Sequence, residues 1–442
     1  MRTLRGMDAQ ADELRASGVR AVALTWVDNA GITRVKAVPV ERLEAATARG
    51  VGMSPVFDVY GSDDSMTMSD HTGGPVGDLR LFPDLERIAV LQPVPRWAWA
   101  PADRRTQEGE PYAGCQRTFA RNMTARAAGA GLSLQMAFEV EWFVGLDEGD
   151  ATTPACRGPA YGMTRVVELA DYLADLLDAL TAEGVPVDQL HPEYAPGQME
   201  LSVAATGPVE AADRLVLVKQ TIRAVSQAYG LRPSFAPVVV AGGVGNGGHL
   251  HLSVWSEGTN LLAGGDGRHG LTTQGESALA GLLEHLPALC AVGAPGVASY
   301  LRLVPQRWAG AFRCWGRENR EAGLRLVTAG SANAELKCFD LSANPYLVVG
   351  AATAVMCATF DQGARLPPEV TVDPASLAPA DQPARLPRSL AQATDALERD
   401  EVLRDAMGET LFDAFVAVRR AEVGRLGGMS DEDVVAATRW IH

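Results

Sequence analysis

Between Ala137 and Trp142 the chain reads AFEVEW, two carboxylates spaced among bulky apolar side chains. This alternation predicts an extended strand with Glu139 and Glu141 on one face and Phe138, Val140 and Trp142 on the other. Two carboxylates roughly 6–7 Å apart on a stiff element have two uses. They form the wetted face of an amphipathic strand, or they hold divalent cations or divide acid and base roles. Which applies depends on what the rest of the chain brings to the same place.

The 442 residues suggest two or three domains, or one large catalytic domain with an appendage. A net charge of -15 argues against general nucleic-acid binding, since no basic run offsets it. The six cysteines form no C-x-x-C pair, so neither a zinc site nor a disulfide framework is expected, and a reducing cytoplasm fits best. No run has the length of a membrane span, and the first residues lack the apolar core of a signal peptide. A cytoplasmic protein without membrane or nucleic-acid partners is the expectation.

Residues 20–38 alternate around Asp28-Asn29-Ala30-Gly31 and predict a hairpin. A short helix over Val40 to Arg49, a loop over Gly50 to Gly77 and strands in GDLRLFPD and RIAVLQPV complete a small α+β unit. Its boundary falls in the polar segment Ala102 to Pro111, giving units 1–109 and 110–442. In the second unit strands and helices alternate at longer spacing, which predicts a sheet covered by helices. Helices are predicted over Val166 to Glu183, with Leu169, Leu173, Leu176, Leu177 and Leu180 on one side, over Pro208 to Tyr229, and from Asn344-Pro345 to Cys357. Residues 366–388 read as a surface excursion.

Four further stretches concentrate polar groups in apolar, strand-like surroundings. In HPEYAPGQMELSV, Glu193 and Glu200 bracket a Pro-Gly turn that would return both to one point. In GGVGNGGHLHLSVW, a glycine loop enters a strand on which His249 and His251 share a face, an arrangement suited to metal or phosphate. Six arginines from Arg302 to Arg325 interleave with apolar residues and suggest an anion site. AELKCFD sets Glu335 and Lys337 on one strand face. Carboxylates with a histidine pair favour Mg²⁺ or Mn²⁺ over zinc, and metal with arginine suits phosphoryl transfer. Read from residues alone, the chain is a metal-dependent, phosphate-handling enzyme.

In order and spacing these stretches resemble the glutamine synthetase family over nearly the whole chain: AFEVEW, HPEYAPGQMELSV, GNGGHLHLS, SYLRLVP and AELKCFDLSANPY. The resemblance implies an α+β architecture, with a small N-terminal β-grasp-like domain and a large catalytic domain whose curved antiparallel sheet forms an open barrel-like wall under helices. It implies ATP and two or more Mg²⁺ or Mn²⁺ ions per site, and a homo-oligomer, two stacked six-membered rings, with active sites between subunits. Glu141, Glu193 and Glu200 would hold the metal that orients the acid, and Glu139, His249 and Glu335 the metal on the nucleotide phosphates. Arg302 would grip the α-carboxylate of glutamate, with Gly245 and Lys337 beside it; Arg320 and Arg325 would stabilise the transferred phosphoryl group. His251, Trp315 and Arg325 would face the nucleotide. The implied reaction phosphorylates the γ-carboxylate of glutamate with ATP, and an amine then displaces phosphate.

Departures from the family pattern fall on the amine side. Ammonium-using members carry a glutamate six residues after the segment's arginine; here that position is Trp308, whose indole offers one donor and no base. The family's aspartate-glycine-serine-serine element has no match in GMSPVFDVYGSDDS. Lys337 replaces an arginine, and Asn333 another on the phosphate side. The expectation is a γ-glutamyl-amine ligase using an organic primary amine, aromatic or small alkyl or hydroxyalkyl, packed on Trp308. Polyamines are less expected, because no carboxylates are visible near Trp308. The alternatives are an ammonium-using glutamine synthetase and a non-catalytic paralogue that senses nucleotide or amine.

Overall fold

The computed structural model describes residues 4–442. Helix α1 (Leu4–Ala16) precedes the hairpin of β1 (Ala21–Val27) and β2 (Thr33–Pro39). Asp28 builds its turn: Oδ1 accepts from the N–H groups of Ala30 and Ile32, both at 2.9 Å, and Oδ2 from Arg34. Next come α2 (Leu43–Arg49), β3 (Val51–Met53), β4 (Leu79–Pro83), the two-residue β5 (Ala89–Val90) and β6 (Trp97–Arg105). The sheet runs β2-β1-β6-β4-β3, with β5 also on β6 and β1 parallel to β6.

The polar segment from Ala102 is therefore strand as far as Arg105. Its Arg104 is buried and ion-paired with Asp58 at 2.6 Å. Pro101 lies where β6 passes from one neighbour to another, pairing with β1 through Pro101 and with β4 from Ala102 onward. At that handover a missing N–H breaks little of the ladder, which is how a proline enters a central strand.

The larger part begins with α3 (Gln116–Gly129), β7 (Leu132–Phe138) and β8 (Val140–Leu146), then α4 (Met163–Glu168), α5 (Ala170–Ala182), β9 (Val187–Pro192) and β10 (Gln198–Val203). It continues with α6 (Pro208–Ala228), β11 (Leu231–Ser234), β12 (Leu250–Ser256), β13 (Thr259–Asn260), α7 (Thr273–Gly293) and the single turn α8 (Ser299–Arg302). After β14 (Phe312–Arg317), β15 (Ala322–Val327) and β16 (Asn333–Leu336) come α9 (Pro345–Thr359), α10 (Leu390–Glu398), α11 (Glu401–Leu426) and α12 (Asp431–Thr438).

One sheet has the order β11-β8-β10-β9; the other runs β13-β12-β16-β15-β14, with β7 on the free side of β12. All these pairs are antiparallel except β14 with β15. AFEVEW is not one strand of one sheet. Glu139 is the residue between β7 and β8, where the chain leaves one sheet for the other and curves the combined wall.

Helix α9 is buried along nearly its whole length. Asn344 caps it, accepting from the N–H groups of Tyr346 and Leu347, and donates through Nδ2 to the Val27 and Asp28 carbonyls. The hairpin tip thus docks on the start of the central helix; a Cβ on Gly31 would lie 1.9 Å from the Ser342 carbonyl oxygen. The helix predicted over 166–183 is two, joined at Leu169, and Leu177 faces solvent while Leu169, Leu173, Leu176 and Leu180 are buried. Residues 366–388 lie along β14, where Arg313 N–H donates to the Ala384 carbonyl and Leu386 N–H to that of Ala311. Among the described residues, no helix is long and apolar enough to cross a membrane.

Candidate active site

Strand pairing explains why the scattered motifs meet. Glu141 on β8 is opposite Glu200 on β10, and His251 on β12 is opposite Glu335 on β16. The glycine loop runs beside the junction: Glu139 N–H donates to the His249 carbonyl and Glu141 N–H to that of Gly247. Two clusters result, Glu139 with His249 and Glu335, and Glu139 with Glu141 and Glu200, each offering ligand atoms within 4.8 Å of one another. Glu193 joins a third group, with His191 and Glu200.

Carboxylates this close in a partly dry site cannot all stay ionised without a counter-charge. Burial, with Glu139 and Glu141 nearby, pushes Glu200 up to about 7 against the hydrogen bond from His191. Glu335 is compensated: burial disfavours its charge, but Lys337 Nζ at 2.9 Å, with His249 and His251, holds it well below the usual carboxylate range, and Arg325 Nη1 pairs with it at 3.0 Å. Glu139 is likewise held low, its burial outweighed by His249 and His251. Converging carboxylates and imidazole fit hard divalent cations, and a bound ion would supply Lewis-acid and orienting chemistry.

His249 is locked on both sides. Arg302 Nη2 donates to its Nε2 at 2.8 Å, which puts the ring proton on Nδ1, 2.7 Å from Glu139 Oε1, where a cation held with Glu139 and Glu335 would take its place. His251 Nδ1 meets Asn333 Oδ1 at 2.9 Å, so the residue standing in place of an arginine orients a histidine. Burial opposes charge on His251, yet the hydrogen bond to Glu139 lifts it to about 8.

A cleft of about 290 Å³ opens beside these groups, lined by Glu139, Glu141, Glu193, Glu200, His249 and Arg302 among others, and by Gly245, Trp308, Arg320 and Lys337. The remaining candidates, His251, Trp315, Arg325 and Glu335, stand outside that lining. Arg325 is held by Glu335 and Glu318 outside the cleft lining. Trp315 is buried, its indole donating to the Pro367 carbonyl at 2.7 Å, so it offers no face to the cleft.

Two residues were missed from sequence. Gln198, buried, donates to Glu141 at 3.3 Å and to the Gly245 carbonyl at 2.9 Å, tying a carboxylate to the glycine loop; its place between Gly197 and the Glu200 strand was the available signal. Tyr161 sets its hydroxyl 2.7 and 2.8 Å from the two oxygens of Glu193 from a loop with no periodicity. At the mouth, the exposed rings of Tyr194 and Trp308 meet edge to face, centroids 6.3 Å apart.

Comparison with known proteins places the fold. The family model for the glutamine synthetase catalytic domain matches residues 113–433. The chain is 55% identical to the gamma-glutamylpolyamine synthetase of Streptomyces coelicolor, over 98% of this chain and 96% of that one. A solved structure described as a novel glutamine synthase homolog superposes with a TM-score of 0.85 at 31% identity, covering 96% of this chain and 99% of that chain. A GmaS/ADP complex superposes with a TM-score of 0.85 at 27% identity, covering 95% and 97%.

Proposed function

The chain belongs to the glutamine synthetase family of ATP-dependent carbon–nitrogen ligases, and from that premise we propose that it joins the γ-carboxyl of glutamate to an organic primary amine through a γ-glutamyl phosphate. The observation that carries the choice of amine is the mouth of the cleft. Trp308 stands where ammonium-using relatives have a carboxylate, and Tyr194 and Tyr161 stand with it around Glu193. Aromatic faces attract alkylammonium groups and pack against their carbons, whereas ammonium has no carbon to pack.

Among amines we favour polyamines over the aromatic and small alkylamines expected from sequence. The relative at 55% identity is named for polyamines, and the facing rings of Tyr194 and Trp308 offer a cation–π site to a polyamine's further ammonium group while Glu193 is left to the metal.

We assign Glu141, Glu193 and Glu200 to one metal ion, and Glu139, His249 and Glu335 to the ion on the nucleotide phosphates, Mg²⁺ or Mn²⁺ in each case. Arg302, with Lys337 and Gly245, would bind glutamate, and Arg320 would face the phosphoryl group in transit. In the first step the bond from the γ-phosphorus to the β,γ-bridging oxygen breaks as the glutamate oxygen attacks, releasing ADP. In the second the unprotonated amine attacks the acyl carbon, phosphate departs with the shared oxygen, and the nitrogen loses a proton. Gln198 and Gly247 keep Glu141 in register throughout. We also infer the family's ring assembly, with sites between subunits; light scattering of the purified protein tests it.

The deciding assay is glutamate- and metal-dependent ADP release with ammonium, methylamine, ethanolamine, aniline, putrescine and spermidine. The reading expects the highest kcat/KM with a diamine or polyamine. A maximum with ammonium would return the protein to ordinary glutamine synthesis, and no turnover with any amine would make it a sensor.

A further inference from the structure

The segment that carries Trp308 has an unusual backbone. Between α8 and β14, Gln306, Trp308 and Gly310 adopt φ of +60°, +53° and +67°, so alternate residues are left-handed. For glutamine and tryptophan this conformation is disfavoured and persists only where the surroundings fix it. What fixes it is one carboxylate. Glu321, 6% exposed, accepts from Trp308 N–H at 2.6 Å through Oε1 and from Gln306 N–H at 3.1 Å through Oε2. Backbone N–H groups turned to one side form an anion-binding concavity, and here the anion is a side chain of the same protein, held by the alternate N–H groups of Gln306 and Trp308.

Glu321 is itself anchored. Its N–H donates to Asn319 Oδ1 at 3.1 Å, and Asn319 Nδ2 donates to the carbonyls of Val370 and Val372 at 2.8 and 3.0 Å. Its chain neighbour Arg320 is exposed and lines the cleft, while Glu321 lies hidden beneath the 306–308 turn. One short turn thus presents an arginine to the cleft and clamps the wall that carries the indole. Glu321 does not line the cleft.

We infer that Glu321 is a positioning residue for amine selection: its carboxylate holds the Gln306–Trp308 turn in the left-handed form that sets the Trp308 indole at the cleft mouth. The inference rests on the proposed amine ligase activity. Its chemical requirement is specific, because two acceptor oxygens must meet two N–H groups. Glu321→Gln keeps the shape but supplies one acceptor and turns an N–H donor toward the second backbone N–H.

The test is steady-state kinetics of wild type, Glu321→Gln, Trp308→Ala and the double variant, with glutamate, ATP and the best amine varied in turn. Glu321→Gln is expected to raise the KM for the amine about tenfold and leave the KM for glutamate and ATP within about threefold. In the Trp308→Ala background the same substitution is expected to add little, because both act through one indole. Unchanged amine KM in a Glu321→Gln protein, fully additive effects, or an equal rise in the glutamate KM would each overturn the role assigned to Glu321. A wild-type enzyme that turns over no organic amine would instead overturn the reading beneath it, and the role with it. Melting temperature and assembly mass, measured alongside, separate a displaced loop from a misfolded chain.

Discussion

The backbone N–H of Gly247 donates to Glu141 Oε2 at 2.7 Å, and no side chain fits at that glycine. A Cβ there would stand 2.3 Å from His249 Nε2 and 2.8 Å from both Arg302 Nη2 and Glu141 Oε1. Its φ is not left-handed, so the glycine answers to space and not to backbone freedom. The atoms it would push are the ends of the side chains assigned to metal and glutamate. Gly247→Ala is therefore expected to cost roughly 1–3 kcal/mol, since buried His249 and Arg302 must shift, and kcat/KM should fall on the order of a hundredfold through misplacement of those groups. A variant with near wild-type turnover would contradict the crowding argument.

Lys337 sits almost fully buried with its ammonium 2.9 Å from Glu335 Oε1. Removing one partner of a buried pair strands the other, although Arg325 and His249 still face this carboxylate. Lys337→Met should cost roughly 1–3 kcal/mol in urea unfolding and raise the KM for glutamate. Stability equal to wild type would mean that Arg325 and His249 suffice for Glu335.

Much of this site was legible because local alternation supplies it. His249 and His251, Glu335 and Lys337, and Glu193 and Glu200 each sit on short strands or beside tight turns, where spacing fixes the face. What alternation cannot tell is which sheet a strand joins. Phe138 pairs with Leu250 while Glu141 pairs with Glu200, so AFEVEW divides at Glu139 between partners more than fifty residues away in sequence. Strand β6 was hidden by Pro101 and a polar end, and only its handover from β1 to β4 explains them. Trp315, which the family resemblance would turn to the nucleotide, is buried with its indole donating to the Pro367 carbonyl. The support of Trp308 by Glu321 spans a strand and a turn, and no local pattern signals it.

Glu139 belongs to two of the three candidate cation clusters. Divalent cation added to chelator-treated protein should raise the melting temperature, because an ion that binds only the folded state at a hundred times its Kd contributes about 2.7 kcal/mol. Glu139→Gln should remove most of the shift with Mg²⁺ and with Mn²⁺. Glu210→Gln, in an ion pair with Arg87 and outside the cleft lining, serves as the control and should leave the shift intact. No shift in wild type at millimolar cation would refute both assignments.

Glu183 offers a pH test remote from the cleft. It accepts from Thr221 Oγ1 at 2.5 Å and from Gln92 N–H at 3.2 Å, between the small sheet and the helices α5 and α6. Burial pushes its carboxyl from 4.5 up to about 7, outweighing both hydrogen bonds. The folded state therefore keeps a proton that the unfolded chain has already lost between about pH 4.5 and 7, so stability falls with rising pH across that window. The neutral acid contributes fully below the unfolded value, and its contribution is gone once the pH exceeds the folded one. Glu183→Gln replaces it with a group that never ionises. The variant should match wild type near pH 5 and exceed it at pH 8 by about 1–2 kcal/mol, a figure reduced for the partial exposure of the side chain. Melting curves at the two pH values measure this, and an equal difference at both would show that ionisation of Glu183 is not what the folded state resists.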